Sequence, residues 1–156
     1  MNRKSGFTLI ELIITVALAA IIVTIGIPSF RIAVLNNSRT AQVNKLIGAL
    51  NLARSEASKR GLRVMICRRL SNTECATDTT SIWENGWIVF IDQDRDGILD
   101  KNKGDEVLKV YGAISNNFTL RTGGTFTKSI AYLPSGISSG NTGLGVGTFR
   151  ICDSRG

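Results

Sequence analysis

The sequence predicts an α+β fold, with one long N-terminal helix, membrane-spanning at first and amphipathic afterwards, packed on an antiparallel β-sheet. Three observations predict it. Residues 7–30 form an apolar run broken by one charge, Glu11. Residues 31–60 keep a helical period, with polar residues on the remaining faces. From Leu62 onward, short apolar or alternating segments follow one another between turns rich in glycine and proline. A helix followed by strands gives an α+β arrangement in which the helix covers one sheet face.

The elements follow in order. At about 1.5 Å per residue the apolar run makes a helix of roughly 36 Å, enough to cross a hydrocarbon core with some tilt. Arg3 and Lys4 precede it and favour an N-terminus kept in the cytoplasm. A secretory signal has a shorter apolar core, about 7–15 residues, and a small-residue cleavage site behind it. Gly26-Ile27-Pro28-Ser29 makes a poor site of that kind. Pro28 lacks an N–H and clashes with the preceding turn, so a kink is expected there. Val43, Leu46, Ile47, Leu50, Ala53 and Ala57 are spaced for one apolar face, and Gly61 ends the helix as a left-handed cap. Strands are expected at residues 62–67, 87–91, 107–111, 118–121, 129–133 and 148–152. Turns are expected at Gly97, Gly104, Gly123-Gly124 and Pro134-Ser135-Gly136, with a surface loop in the Gly/Ser/Thr-rich stretch 136–147.

The chain has 156 residues, a formal charge of +7 and no histidine. Catalytic sets built on histidine, and histidine metal sites, are therefore excluded. There is no glycine-rich phosphate loop and no internal repeat, so no enzyme is expected. About 125 residues follow the apolar run, enough for one domain with a modest core. Glu11 stands out against this background. A charge at a helix centre in lipid costs roughly 2.5–3.5 kcal/mol on insertion scales. Its place near the cytoplasmic end lowers that cost, and a free amine from another chain would be a natural counter-charge.

The segment Gly6-Phe7-Thr8-Leu9-Ile10-Glu11-Leu12, behind its basic leader, resembles the class III signal of type IV pilins and pseudopilins. The resemblance implies a leader, residues 1–6, cut between Gly6 and Phe7 by a prepilin peptidase, and N-methylation of Phe7. It implies a transmembrane and filament-core helix over residues 7–30. A periplasmic pilin domain would then occupy residues 31–156, with an amphipathic helix at 31–60 and a β-rich part at 62–156. This is the pilin fold, and in it Glu11 would face the Phe7 amine of a neighbouring subunit during assembly.

Further along, Ala53-Arg54-Ser55-Glu56-Ala57 and Gly86-Trp87-Ile88-Val89-Phe90-Ile91-Asp92, followed by Asp94, Asp96 and Gly97, resemble the GspH/FimT family. That family comprises pseudopilin H of type II secretion and its minor pilin relatives. The resemblance implies a low-abundance minor pilin that primes or caps assembly of a type IV pilus. The alternatives are a pseudopilin of the secretion pseudopilus and a DNA-binding minor pilin for natural transformation. Implied partners are other pilins or pseudopilins, the prepilin peptidase, an inner-membrane assembly platform, membrane lipid before assembly and, in the third reading, DNA. The implied location is the bacterial inner membrane, single-pass, and then the filament. Family domains run on into one more hairpin strand, so the strand at 148–152 is expected as an open edge or the sign of a shortened chain.

Three cysteines allow three pairs, and an oxidising compartment favours a bridge. Cys67–Cys75 is expected, because that loop lies between a strand end and Trp83. The alternative is a reduced Cys67 in the core with Cys75 paired to Cys152. Zinc is not expected, because the spacing is wrong and the count too low. Asp92, Asp94, Asp96, Gly97 and Asp100 resemble the first part of a calcium loop. Lys103, however, occupies the place of the bidentate Glu, with Asp105 and Glu106 following soon after as candidates to serve in its stead. A polar hairpin turn without a cofactor is therefore expected, with Ca²⁺ on Asp92, Asp94, Asp96 and Asp100 as the alternative. Lys59, Arg60, Arg63, Arg68 and Arg69 crowd the helix end and first strand. Arg150 and Arg155 are the residues a DNA-binding reading would use, against a solvated surface.

Overall fold

A computed structural model of the chain describes residues 6–78, 82–140, 143 and 145–155. The expected leader up to Ser5, and part of the Gly/Ser/Thr-rich stretch, lie outside them. Among the described residues one α-helix, α1 (Leu9–Arg60), precedes seven strands: β1 (Val64–Arg68), β2 (Trp87–Ile91), β3 (Glu106–Tyr111), β4 (Phe118–Gly124), β5 (Ser129–Tyr132), β6 (Ser138–Ser139) and β7 (Gly147–Asp153). Pro28 lies inside α1 and does not end it. The chain divides into two compact units, one up to Ser38 and one from Arg39.

In the first unit every described residue from Gly6 to Val34 is exposed. These include the large apolar side chains of Phe7, Leu9, Ile10, Leu12, Ile22, Ile25 and Phe30. A helix that is apolar all round, with no core of its own, requires an apolar surrounding of lipid or other helices. The hydroxyls of Thr15 and Thr24 are satisfied within the helix. Thr15 donates to the Leu12 carbonyl and Thr24 to the Ile21 carbonyl, each at 2.8 Å.

The second unit has the core. Ala49, Ala53 and Ala57 are fully buried and Leu46 nearly so. Alanines at a spacing of four let the helix backbone lie close to the sheet. Ile47, expected on this stripe, is exposed, and Ala49 takes its place. At 100° per residue, position 47 has already turned away from the line through 46, 49, 53 and 57. Gly61 closes the helix at φ +67°, its N–H donating to the Ala57 carbonyl at 3.0 Å.

The main sheet is antiparallel, in the order β3-β2-β1-β5-β6. Val64, Ile66, Trp87, Val89, Ile91 and Ile130 share one cluster with the helix alanines. Met65, Cys67, Ile88, Phe90 and Ala131 form a second cluster under Leu99. Both faces of β1 and β2 are thus covered, and that is why β2 reads as a continuous apolar run rather than an alternating one. The edge strand β3 carries a bulge opposite Val89 and Phe90, together with the charged side chain of Lys109, two features that blunt an edge.

β4 and β7 form a separate two-stranded ribbon. β4 continues through Gly123 and Gly124, where a turn was expected, because both glycines remain in register with β7. β7 is paired with β4 over seven residues, so it is not a lone strand. β6 arises inside the stretch expected to be a loop.

Candidate functional site

The helix N-terminus is built from Gly6 to Leu12. Gly6 and Phe7 precede the helix, and Phe7 is exposed. Thr8 is the N-cap. Its carbonyl accepts the first helical bond, from Leu12 N–H at 3.2 Å, and its Oγ1 accepts from Glu11 N–H at 3.3 Å. Glu11 therefore occupies the third position of the first turn, where the helix dipole favours a carboxylate. Thr8-Leu9-Ile10-Glu11 is a capping-box sequence, a signal that the pattern of apolar residues alone conceals. Glu11 thus has a role within its own helix in addition to any pairing with another chain. Phe7 and Glu11 stand one turn apart on an exposed apolar surface.

Cys67 and Cys75 are joined by a disulfide with Cα atoms 5.7 Å apart, while Cys152 is a free, half-buried thiol. Cys152 lies across from Thr119 in the β4–β7 ribbon.

The loop from β2 to β3 gathers Asp92, Asp94 and Asp96 so that one oxygen of each lies within 4.8 Å of the others. Asp92 is buried, and desolvation pushes its carboxyl up, partly opposed by Arg63. Arg63 Nη1 stands 3.1 Å from Asp92 Oδ2 as an ion pair, without the alignment of a hydrogen bond. Lys103 Nζ is hydrogen-bonded to Asp96 Oδ2 and lies 3.2 Å from Asp94 Oδ2. The hydrogen bond from Lys103 holds the Asp96 carboxyl below the usual range. Asp100 does not join this group. It caps Asn102 N–H at 2.9 Å. Asp105 accepts from Gln93 N–H and Asp100 N–H, and Glu106 pairs with Arg60, so neither supplies the missing ligand.

The basic residues are largely committed. Arg60 bridges Glu56 and Glu106, Arg63 meets Asp92, and Arg69 donates to the Asn85 carbonyl and the Asn72 side chain. Arg68 is buried. Arg155 folds onto Asp153, whose carboxyl it holds down to about 2. Arg150 is exposed and sits directly across from Arg121, itself paired to Glu84 at 2.8 Å. Arg150 and Arg155, the two residues named for a DNA-binding reading, are therefore not equivalent.

Residues 42–156 match the family described as type II transport protein GspH, nearly the whole of the second unit. The chain belongs to the GspH family. Residues 1–27 match the prokaryotic N-terminal methylation motif, so the capped helix start coincides with a recognised processing signal. No curated protein and no solved structure matches the chain. A GspH-family chain with this motif and one long apolar helix is a pilin-like, single-pass, membrane-anchored protein carrying a folded domain. Its families are structural, built for assembly with other pilins after processing by a prepilin peptidase.

Proposed function

We propose that this GspH-family chain is a minor pilin, a low-abundance subunit that primes or caps a type IV pilus from the inner membrane, with its globular domain in the periplasm. The observation that carries this reading is Glu11, the single charge on a helix exposed and apolar from Gly6 to Phe30. An apolar helix in lipid has no use for that charge. A filament core supplies one, because cleavage after Gly6 leaves a Phe7 amine on each neighbour.

The capping box makes the test sharp. The Thr8 cap rests on the Glu11 backbone N–H and survives either substitution; Gln removes the charge and keeps a side chain that can complete a capping box, whereas Ala removes both charge and side chain. Losing one partner of a buried ion pair costs about 3–5 kcal/mol, roughly two to four powers of ten in an equilibrium. Glu11→Gln and Glu11→Ala should both insert in the membrane and both be missing from sheared filaments. Normal incorporation of Glu11→Gln would reduce Glu11 to a helix cap and overturn the reading.

A second reading, a pseudopilin of type II secretion, is supported by the description of the matched family. Deleting the gene and scoring piliation and protein export side by side separates the two. DNA capture would rest on Arg150 and Arg121 rather than on Arg155. It predicts duplex binding that weakens steeply with salt and is lost in Arg150→Glu.

A further inference from the structure

The loop from Asp92 to Lys103 has the spacing of a twelve-residue calcium loop, with one reversal of charge. Counting Asp92 as position 1, Asp94 and Asp96 fall at positions 3 and 5, and Gly97 at position 6 supplies the sharp turn at φ +81°. Position 12, which in such loops carries a bidentate Glu, is Lys103. The side chain does not point away. Its ammonium returns to Asp94 Oδ2 and Asp96 Oδ2, the two carboxylates that the position-12 ligand would otherwise join around an ion. The third carboxylate, Asp92, is buried in the same group, its Oδ1 accepting from Gly97 N–H and its Oδ2 lacking a hydrogen bond, with Arg63 3.1 Å away as an ion pair.

We propose that Lys103 is a tethered substitute for a divalent cation, which closes this loop without metal, and that removing its ammonium opens a Ca²⁺ site on Asp92, Asp94 and Asp96. Three carboxylates so close repel one another, and some positive charge must sit among them. A tethered ammonium provides it without dependence on the ion content of the surroundings. Lysine also offers no acceptor, so it cannot help hold an ion while it remains in place. The inference is independent of whether the filament is a pilus or a secretion pseudopilus.

The test uses the full chain in detergent, melted with a Ca²⁺ chelator and with millimolar Ca²⁺ as the probe. The parent chain should melt at the same temperature in both. Lys103→Glu should melt lower in chelator and rise by about 3–6 °C with Ca²⁺ near ten times its Kd, with one ion bound per chain. If Lys103→Glu does not fold in either condition, Lys103→Ala decides, with a loss in chelator partly recovered by Ca²⁺. Adding Asp96→Asn to the responsive variant should abolish the response. A Ca²⁺-dependent rise in the parent chain would show that Lys103 yields to metal. Absence of any Ca²⁺ response in the variants, or a response that survives Asp96→Asn, would equally overturn the proposal.

Discussion

Removing the Cys67–Cys75 bridge should lower stability by an amount that can be worked out beforehand. The bridge spans a sequence separation of 8, closing a ring of nine residues. The loop-entropy relation then gives about 2.6 kcal/mol at 25 °C from restriction of the unfolded chain. Cys67 is also 3 % exposed within the cluster under Leu99, so replacing it with Ala deletes a buried sulfur and adds about 1 kcal/mol. The double variant Cys67→Ala, Cys75→Ala should thus lose about 3–4 kcal/mol. For a folded unit of this size that is a fall of roughly 10–16 °C in Tm. The assay is thermal unfolding of the full chain in detergent, with the parent bridge verified by peptide mapping. Cys152→Ser, which touches no bridge, should melt within about 1 °C of the parent. A loss below about 1 kcal/mol in the double variant would refute the loop-constraint reasoning, and a large loss in Cys152→Ser would point to a different pairing.

Two further perturbations probe the packing and the charges. Ala53→Leu forces a large side chain between α1 and the sheet at a fully buried position and should cost about 1–3 kcal/mol in urea unfolding, whereas Ile47→Ala, on the exposed side, should cost well under 1 kcal/mol. Asp153, held down to about 2 from 3.8 by Arg155, contributes stability that is present above its unfolded value and lost as pH falls through its folded one. Asp153→Asn should therefore flatten the fall in stability between pH 3.8 and about 2 in acid titrations of Tm, and an unchanged acid limb would count against the pair.

Much of this fold is legible in the sequence, for identifiable reasons. β2 is read correctly from Trp87 to Ile91 because burial on both faces leaves no polar residue in it. The helix and its end at Gly61 follow from period and cap chemistry. Other features need three dimensions. Ile47 and Ala49 exchange places because a stripe of six residues leaves the helix phase loosely fixed. The extension of β4 through Gly123 and Gly124 depends on a partner strand distant in sequence. At the helix start, Gly6, Phe7 and Glu11 stand out by composition alone, whereas the capping role of Thr8 was equally readable from Thr-x-x-Glu. The return of Lys103 to Asp94 and Asp96 was not readable, since spacing places a side chain on a loop without saying which way the loop closes.

Intact-mass spectrometry of the protein purified from the membranes or filaments of its own host bears most directly on the membrane-anchored, assembling chain described here. The account predicts a mature polypeptide that begins at Phe7 and is one methyl group heavier than its sequence. A native protein that still carries Met1 to Gly6, with an unmethylated Phe7 behind them, would contradict it.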